Sequence, residues 1–192
     1  GPSGASVEAG EDYPLDLSVF PNRKKVLVTC GTQLAWAKDN LIFQAKQLAK
    51  AHPDFHFFVT RGVGGEPFQC ENLMENLSLV SYLPYKEYIP QMDYVIHHGG
   101  AGIFYQCIIY GKPALILPHD YDQYDYAVRG LEAGIALTAK REDTEAIGRA
   151  FDELLARDDW ADLNKLSRAA QIYQPTEILK SEIHRLLGDK EK

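Results

Sequence analysis

The sequence predicts an α/β domain of the Rossmann-like class, in which a parallel sheet carries helices on both faces. Short apolar runs alternate along the chain with segments whose apolar residues recur at helical spacing. The runs are continuously apolar, which is typical of strands buried on both faces of a parallel sheet. The chain has 192 residues, about one domain in size. We therefore expect a tag and linker over residues 1–22 and one domain over residues 23–192.

The strands and helices follow in order from this alternation. A β-rich run over residues 26–30 halts at Gly31, and apolar residues at helical spacing follow it from Leu41 up to Pro53. The same unit then recurs. Further strands are predicted over residues 55–60, 77–83, 94–97, 114–117 and 135–139, and further helical stripes over residues 103–110, 124–131, 147–155 and 179–187.

Charge and composition argue against several classes of function. The chain carries 20 Lys and Arg against 27 Asp and Glu, a net charge of -7, and no basic stripe that would bind nucleic acid. The uncharged run over residues 94–111 contains two histidines and several small residues, so we do not expect a membrane-spanning helix. No secretory signal is recognised, and three cysteines without a CxxC pair favour a reducing, cytoplasmic compartment.

The strongest local motif leaves a predicted strand and opens a predicted helix; it reads His97-His98-Gly99-Gly100-Ala101-Gly102. Glycines let backbone amides approach an anion closely, and a helix N-terminus adds roughly half a positive charge. The motif lacks the lysine of a GxxxxGK(S/T) loop and does not fit GxGxxG, which disfavours ATP hydrolysis and NAD binding. The pattern predicts a phosphate-binding turn, although the glycines could also serve only a tight connection.

Three further loops give weaker signals. Thr32 follows the first strand, and its hydroxyl can donate to a phosphate. Tyr82 and Leu83 close a later strand, where an aromatic ring and backbone amides can receive a planar base. The glycines at positions 62, 64 and 65, beside Arg61, are interpreted as a mobile loop. An ordinary turn or a packed aromatic side chain would account for each of these signals as well.

The loop after the fifth predicted strand combines acids with an amide. Asp122 and Gln123 can accept from and donate to neighbouring hydroxyls, which is how proteins commonly hold sugars. Asp120 and Asp122 also have the DxD spacing with which nucleotide-sugar enzymes hold a divalent cation. Both interpretations point to a sugar nucleotide, and a solvated loop is the third.

Together these motifs resemble the donor-binding signature of the UGT-like GT-B glycosyltransferases, closest to the bacterial natural-product and macrolide branch. The resemblance runs from about Lys25 to the C-terminus and corresponds to the C-terminal half of such an enzyme. The residues that carry it are Tyr82-Leu83-Pro84, the motif from His97 to Gly102, Gly111-Lys112-Pro113, Pro118, Asp122-Gln123, Ala127, Arg129 and Gly134.

The resemblance implies a role for each part of the site. The aromatic matching Tyr82, with Leu83 beside it, lies at the base, and the residues matching Asp122 and Gln123 bind the transferred sugar. The first motif histidine and the glycine-turn amides hold the pyrophosphate, which the residue after the first strand also approaches. The phosphate-binding residues are thus expected to be His97, Gly99, Gly100, Ala101, Gly102 and Thr32.

Two departures from the family pattern stand out. Ile103 occupies a position where the family usually has Thr or Ser, which removes one phosphate donor. The family usually has an acid one helical turn later to bind the ribose hydroxyls, and Gln106 is the weaker substitute here.

The resemblance implies the nucleotide-sugar-binding domain of an inverting glycosyltransferase, with a UDP- or dTDP-hexose as donor. No cofactor and no metal are expected, because protein groups supply the positive charge. The catalytic base and the acceptor pocket would belong to an N-terminal domain, so no catalytic residue is assigned in this chain and the domain would be inactive alone. Two alternatives stay open: a non-catalytic donor-binding subunit with a separate partner chain, and a fragment of a GT-B nucleotide-sugar epimerase.

Overall fold

The structure, a computed structural model, describes residues 15–20, 22–32, 35–62, 68–173 and 175–188. The strands within these ranges are β1 (Lys24–Thr29), β2 (Phe55–Thr60), β3 (Cys70–Met74), β4 (Leu77–Val80), β5 (Tyr94–His97), β6 (Ala114–Ile116) and β7 (Ala136–Thr138). They form a seven-stranded sheet in the order β3-β4-β2-β1-β5-β6-β7.

Neighbouring strands are parallel except at one edge of the sheet. β1 lies between β2 and β5, with Val26 opposite Phe57 on one side and opposite Tyr94 on the other. β3 is antiparallel to β4. The predicted α/β architecture with its parallel sheet is confirmed, and β3 is an addition that the sequence pattern did not predict. Its residues are mostly exposed, so it lacks the continuous apolar run of the other strands.

Helices cover both faces of the sheet. The α-helices of the described ranges are α1 (Lys38–Ala51), α2 (Tyr85–Tyr88), α3 (Ala101–Ile109), α4 (Gln123–Glu132), α5 (Thr144–Ala156), α6 (Ala161–Ile172) and α7 (Pro175–Gly188). α1 contacts α5 over one face, and α3 contacts α4 and α6 over the other. The short helix α2 was not predicted from the sequence, and α6 was not singled out within the helical C-terminal part.

Two close contacts define the faces. On α5, the ring of Phe151 lies 5.8 Å from that of Phe57 in β2. On the other face, α4 approaches so closely that a Cβ at Gly130 would lie 3.3 Å from the side chain of Ile116. His97 in β5 lies directly opposite Ile116 of the neighbouring strand β6. Because paired residues of neighbouring strands point to the same face, His97 points towards the layer of α3 and α4.

The segment expected to be a linker contributes to the core where it is described. Leu17 is buried, and the ring of Phe20 lies 5.4 Å from that of Phe58. Residues 1–14 and 21 lie outside the described residues, as do residues 63–65 of the predicted mobile loop. All three cysteines are described, and none forms a disulfide. In the ranges given above, no helix has the length and apolar character needed to span a membrane.

Candidate functional site

The carboxyl ends of the parallel strands bring the predicted site residues to one edge of the sheet. Tyr82 follows β4, Thr32 follows β1, His97 ends β5 and Gln123 follows β6. From β4 to β6 the row spans four strand spacings, or about 19 Å at roughly 4.8 Å each. Strand order reverses between β1 and β5, and ligands of open α/β sheets bind at such a reversal. The glycine motif therefore lies at the expected centre of a binding cleft.

A tight turn connects β5 to α3. Gly99 has a φ of 91°, in the left-handed region that favours glycine. A Cβ at this position would lie 2.9 Å from the carbonyl oxygen of Gln123. A Cβ at Gly100 would lie 2.4 Å from Nε2 of His98. The turn is thus enclosed between α4 and a histidine ring; position 99 requires glycine, whereas a side chain at position 100 would have to displace the ring of His98.

His97 supports this turn from within the fold. Its side chain is fully buried, and its Nδ1 accepts a hydrogen bond of 3.0 Å from the backbone N–H of Gly99. Burial, together with the nearby His98, lowers the pKa of His97 to about 3, so the ring is neutral. A neutral ring that accepts through Nδ1 carries its proton on Nε2. In the described part of the chain that Nε2 is buried and has no partner.

His98, to which the sequence assigned no role, lies between two glycine loops. A Cβ at Gly31 would lie 3.0 Å from its Cε1, and the ring also contacts the position of Gly100. The residue is half-buried, and its Nδ1 has no partner among the described residues. Burial and the nearby His119 lower the pKa of His98 to about 4. This ring therefore lies at the strand-order reversal as a neutral, incompletely bonded group.

The first turn of α3 is open to a ligand. Gly100 is the N-cap and has no side chain to bond the amides of the first turn, and no side-chain cap is seen among the described residues. A Cβ at Gly102 would meet no atom within 4 Å. Gln106 lies four residues further on the same side, and its buried Oε1 has no partner in the described ranges. Ile103, which replaces the family's hydroxyl residue, is buried in the core instead.

Gln123 holds the loop between β6 and α4. Its Oε1 accepts hydrogen bonds from the backbone N–H groups of His119 at 2.9 Å and Asp120 at 3.1 Å. Since the oxygen is committed to the loop, the amide N–H groups are the part of this side chain left for recognition. Asp122 is exposed immediately before α4. Asp122 and Gln123, the two residues predicted to bind sugar, are therefore adjacent, and Gln123 also holds the loop in place.

The predicted base-binding residues lie at the far end of the row. Tyr82 is half-buried, and burial raises the pKa of its hydroxyl. The side chain of Leu83 is fully buried, so its backbone is the part that can face a ligand. Thr32 is exposed between this end and the glycine turn.

A chain of hydroxyl groups lies beneath these loops. The hydroxyl of Thr29 accepts from the hydroxyl of Thr60 at 2.8 Å and from the N–H of Gly31 at 3.1 Å, and it lies 3.0 Å from the hydroxyl of Tyr85. Having accepted two bonds, Thr29 has one proton to donate, and Tyr85 is positioned to accept it. These bonds join the ends of β1 and β2 to α2, beside the reversal point.

Several buried polar atoms at this edge lack a hydrogen-bond partner among the described residues. They lie at the end of strand β5 or after strands β5, β6 and β7, and they are His97 Nε2, His98 Nδ1, His119 Nε2 and Arg141 Nη1. Buried polar groups in native proteins are nearly always hydrogen-bonded, so this concentration indicates the place of a polar ligand. Sequence reasoning assigned no role to the last three of these residues. Alternation along β5 could have separated the two histidines, but no local signal marked Arg141.

The first carboxylate of the DxD segment bonds to its own loop. Oδ1 of Asp120 accepts a hydrogen bond of 2.9 Å from the backbone N–H of Tyr121. Within the described ranges, no group of three or more His, Cys, Asp or Glu side chains converges as metal ligands would.

Comparison with known proteins gives one family match. The model of the "Erythromycin biosynthesis protein CIII-like, C-terminal domain" family matches residues 65–184, more than half of the chain. The match includes the glycine motif, the loop after β6 and the helices that follow.

Two relatives and one solved structure show how far the likeness extends. An uncharacterized UDP-glucosyltransferase, YdhE, of Bacillus subtilis is 25% identical over 100% of this chain and 48% of its own length. The 3-alpha-mycarosylerythronolide B desosaminyl transferase of Saccharopolyspora erythraea is 30% identical over 69% of this chain and 33% of its own length. The glycotransferase of kitacinnamycin superimposes with a TM-score of 0.74 at 22% identity, over 95% of this chain and 46% of that one. The chain thus spans less than half of each protein, and the structural match shows the fold, the C-terminal half of a GT-B enzyme.

We expect the protein to lose stability as the pH falls below about 6.5. Burial lowers the pKa of His97 to about 3, and that of His98 and His56 to about 4, whereas unfolded histidine titrates near 6.5. The unfolded chain therefore binds protons at a pH where the folded chain does not, which favours unfolding. The melting temperature between about pH 7 and pH 5.5, above the carboxylate range, measures the effect.

The variant His98→Asn should show a shallower fall in melting temperature over this pH range, because one group with a lowered pKa has been removed. The remaining slope comes from the other buried histidines. His184→Asn, an exposed position on α7, is the matched control and should keep the slope of the parent protein. Identical slopes for His98→Asn and the parent protein would contradict the neutral state of that ring.

Proposed function

Because the chain belongs to the family of the erythromycin biosynthesis protein CIII-like C-terminal domain, a glycosyltransferase family, we propose that it binds a nucleotide sugar as the donor-binding domain of an inverting GT-B enzyme. A UDP- or dTDP-hexose is the proposed donor, and the glucosyltransferase name of one relative supports the UDP form. The cytoplasmic location inferred from the cysteine count also stays a proposal.

One observation carries this proposal: the order of the site residues along the sheet edge. Tyr82 lies at one end, the glycine turn in the middle, and Asp122 and Gln123 beyond it. Base, diphosphate and hexose occur in the same order along a nucleotide sugar. The row of about 19 Å suits an extended ligand of that kind. We propose that Tyr82 and the Leu83 backbone contact the base and that Gln106 contacts the ribose.

The diphosphate would lie against the turn from Gly99 to Gly102. Uncapped amides at the start of α3 and the positive end of its dipole attract an anion there. We assign His97 to this site because its Nε2 is a donor without a partner among the described residues, and Thr32 because it is exposed after the neighbouring strand β1. We also assign His98 to the diphosphate site, because its ring lies between Gly31 and Gly100.

In the proposed reaction, an acceptor hydroxyl loses its proton to a base in the acceptor-binding half and attacks the anomeric carbon. The bond between that carbon and the phosphate oxygen breaks, and the nucleoside diphosphate departs. The histidines, the amides of the turn and the helix dipole would stabilise the negative charge that develops on the leaving group. Asp122 and Gln123 would hold the hexose in line, and no metal would be needed.

An acceptor-binding partner, fused to this chain or separate from it, is part of the proposal. Leu179, Ile183 and Leu186 on α7 are 61%, 44% and 56% exposed. Apolar side chains clustered on an exposed helix are typical of a surface that another domain covers. We propose that this face of α7 docks against the acceptor-binding half. The separate-subunit alternative differs only in whether a peptide linker joins this chain to that half. No observation favours the epimerase alternative.

The first prediction from the proposed function concerns the diphosphate. UDP or dTDP should bind, and His97→Ala and His98→Ala should each weaken binding about ten- to hundredfold. A hydrogen bond to a charged group contributes about 1.5 to 3 kcal/mol, and His97→Ala also frees the Gly99 amide. Titration calorimetry is the measurement, with His184→Ala as control. Unchanged affinity in both folded variants would remove the phosphate site.

The second prediction separates the sugar from the phosphates. Asp122→Ala should lower the affinity for UDP-glucose and leave that for UDP nearly unchanged, because the carboxylate would contact the hexose alone. Gln123→Ala should do the same and also loosen the loop, since two backbone N–H groups lose their acceptor. Asp125 is an exposed carboxylate about one helical turn further along α4, and Asp125→Ala is therefore the matched control. Equal losses for both ligands would move the pair to the phosphates, and a manganese requirement abolished by chelation would favour the DxD interpretation.

The third prediction is that this chain alone binds the donor and does not transfer the sugar. Transfer needs a base within about 2.6 to 3.2 Å of the acceptor hydroxyl, and that base is assigned to the other half. The assay offers UDP-glucose and dTDP-glucose with phenolic, macrolide and lipid acceptors. Turnover at ordinary enzymatic rates without a partner protein would place a catalytic base in this chain and refute the assignment.

A further inference from the structure

A second group of side chains converges beside Gln123. Trp36, in the loop after β1, meets the ring of His119 edge-on, with ring centres 5.9 Å apart. The guanidinium of Arg141, in the loop after β7, lies 4.6 Å from the centre of the Trp36 ring. Nε2 of Gln44 in α1 donates to the backbone oxygen of Arg141 at 3.1 Å. Four chain segments therefore hold one aromatic ring, one imidazole and one guanidinium together.

Two atoms of this group are buried and have no hydrogen-bond partner among the described residues. Nδ1 of His119 lies 2.6 Å from the carbonyl oxygen of Leu117, so the N–H is on Nδ1 and Nε2 of the neutral ring is an acceptor. His119 is only 6% exposed, and this Nε2 has no partner among the described residues. Nη1 of Arg141 is likewise a buried donor that lacks an acceptor there. Among the described residues, an orphan acceptor and an orphan donor thus belong to two side chains that both contact Trp36.

The group extends the row of site residues by one strand. The backbone N–H of His119 donates to Oε1 of Gln123, which links the group directly to the proposed hexose-binding residues. β7 is the neighbour of β6 on the side away from the glycine turn. Arg141, which follows β7, therefore lies beyond the hexose position as seen from the diphosphate position.

The kind of ligand follows from the charges already present. Nε of Arg141 is paired with the carboxylate of Glu142. A second carboxylate brought to Nη1 would face this glutamate, and its repulsion would offset the attraction of the guanidinium. A neutral polyol suits the two orphan atoms better, because its hydroxyl groups can accept from Arg141 and donate to His119. Trp36 adds an apolar surface next to them.

Resting on the proposed function, we propose that Arg141 and His119 form the distal wall of the hexose subsite and select hexoses that keep their hydroxyl groups over deoxyhexoses. The hydroxyl groups of a sugar can satisfy these atoms, whereas a deoxy sugar that lacks a contacting hydroxyl leaves the atom facing that position buried and unpaired. Sites built to bond a hydroxyl reject analogues that lack it far more strongly than apolar pockets reject an added one.

The test compares UDP-glucose with its 4-deoxy and 6-deoxy analogues, and the corresponding dTDP series, by titration calorimetry. The parent chain should bind at least one analogue about tenfold or more weakly than the glucose form. Arg141→Lys keeps the charge and removes Nη1, and His119→Asn keeps a donor for the Leu117 carbonyl and removes Nε2. Both variants should reduce the preference to about twofold or less, measured as a ratio of affinities within each variant.

The matched control uses a second arginine stack. Arg157 lies 4.3 Å from the ring centre of Trp160, and its Nη2 donates to the oxygen of Gly134. Arg157→Lys should keep the parent preference. Thermal melts establish that each variant is folded.

Each outcome decides between the two proposals. If the parent chain binds UDP but does not distinguish glucose from either deoxy form, the distal-wall inference is wrong and the donor-binding function stands. A preference lost equally in Arg157→Lys would mean a general effect of removing an arginine stack, and it would also overturn the inference. If the parent chain binds neither UDP nor dTDP, the proposed function fails, and this inference fails with it.

Discussion

A backbone carbonyl of α4 lies where any side chain at position 99 would have to be, and this contact fixes how β5, α3 and α4 meet. The N–H of Gly99 bonds to His97, which ties the same turn to the sheet. Helix α3 can then start with its first amides open, and His98 fits between Gly31 and Gly100. The geometry of the whole edge therefore depends on the missing side chain of one glycine and on one neutral imidazole beneath it.

Local pattern was enough to predict most of the fold. Six strands of the sheet are buried apolar runs, and their separation by amphipathic helices implies a parallel arrangement before any contact is known. β3 was not predicted because an exposed edge strand needs no apolar face. It is recognised only by its pairing with β4. The four-residue α2 escaped because one helical turn carries no measurable periodicity.

The site was predictable where function depends on backbone shape and less so where it depends on long-range packing. Glycines between a strand and a helix predict an anion-binding turn, so the region from His97 to Gly102 could be recognised in the sequence. The surroundings of each histidine, the layer of α3 and α4 for His97 and the two glycine loops for His98, depend on how the strand lies relative to both helical layers. The meeting of Trp36 with Arg141 joins residues that are about a hundred positions apart and follow strands three places apart in the sheet, so no local pattern predicts it.

The antiparallel strand β3 also bears on the behaviour of the molecule in concentrated solution. β4, its neighbour, is buried at each of its four positions, and such a strand with free backbone groups would be a template for strands of other molecules. β3 occupies those groups and presents polar residues, including Glu71, outward instead. At the other edge, β7 is only three residues long. The two borders of the sheet thus carry two of the features by which proteins limit strand pairing between molecules, polar residues on one edge strand and a short strand at the other edge.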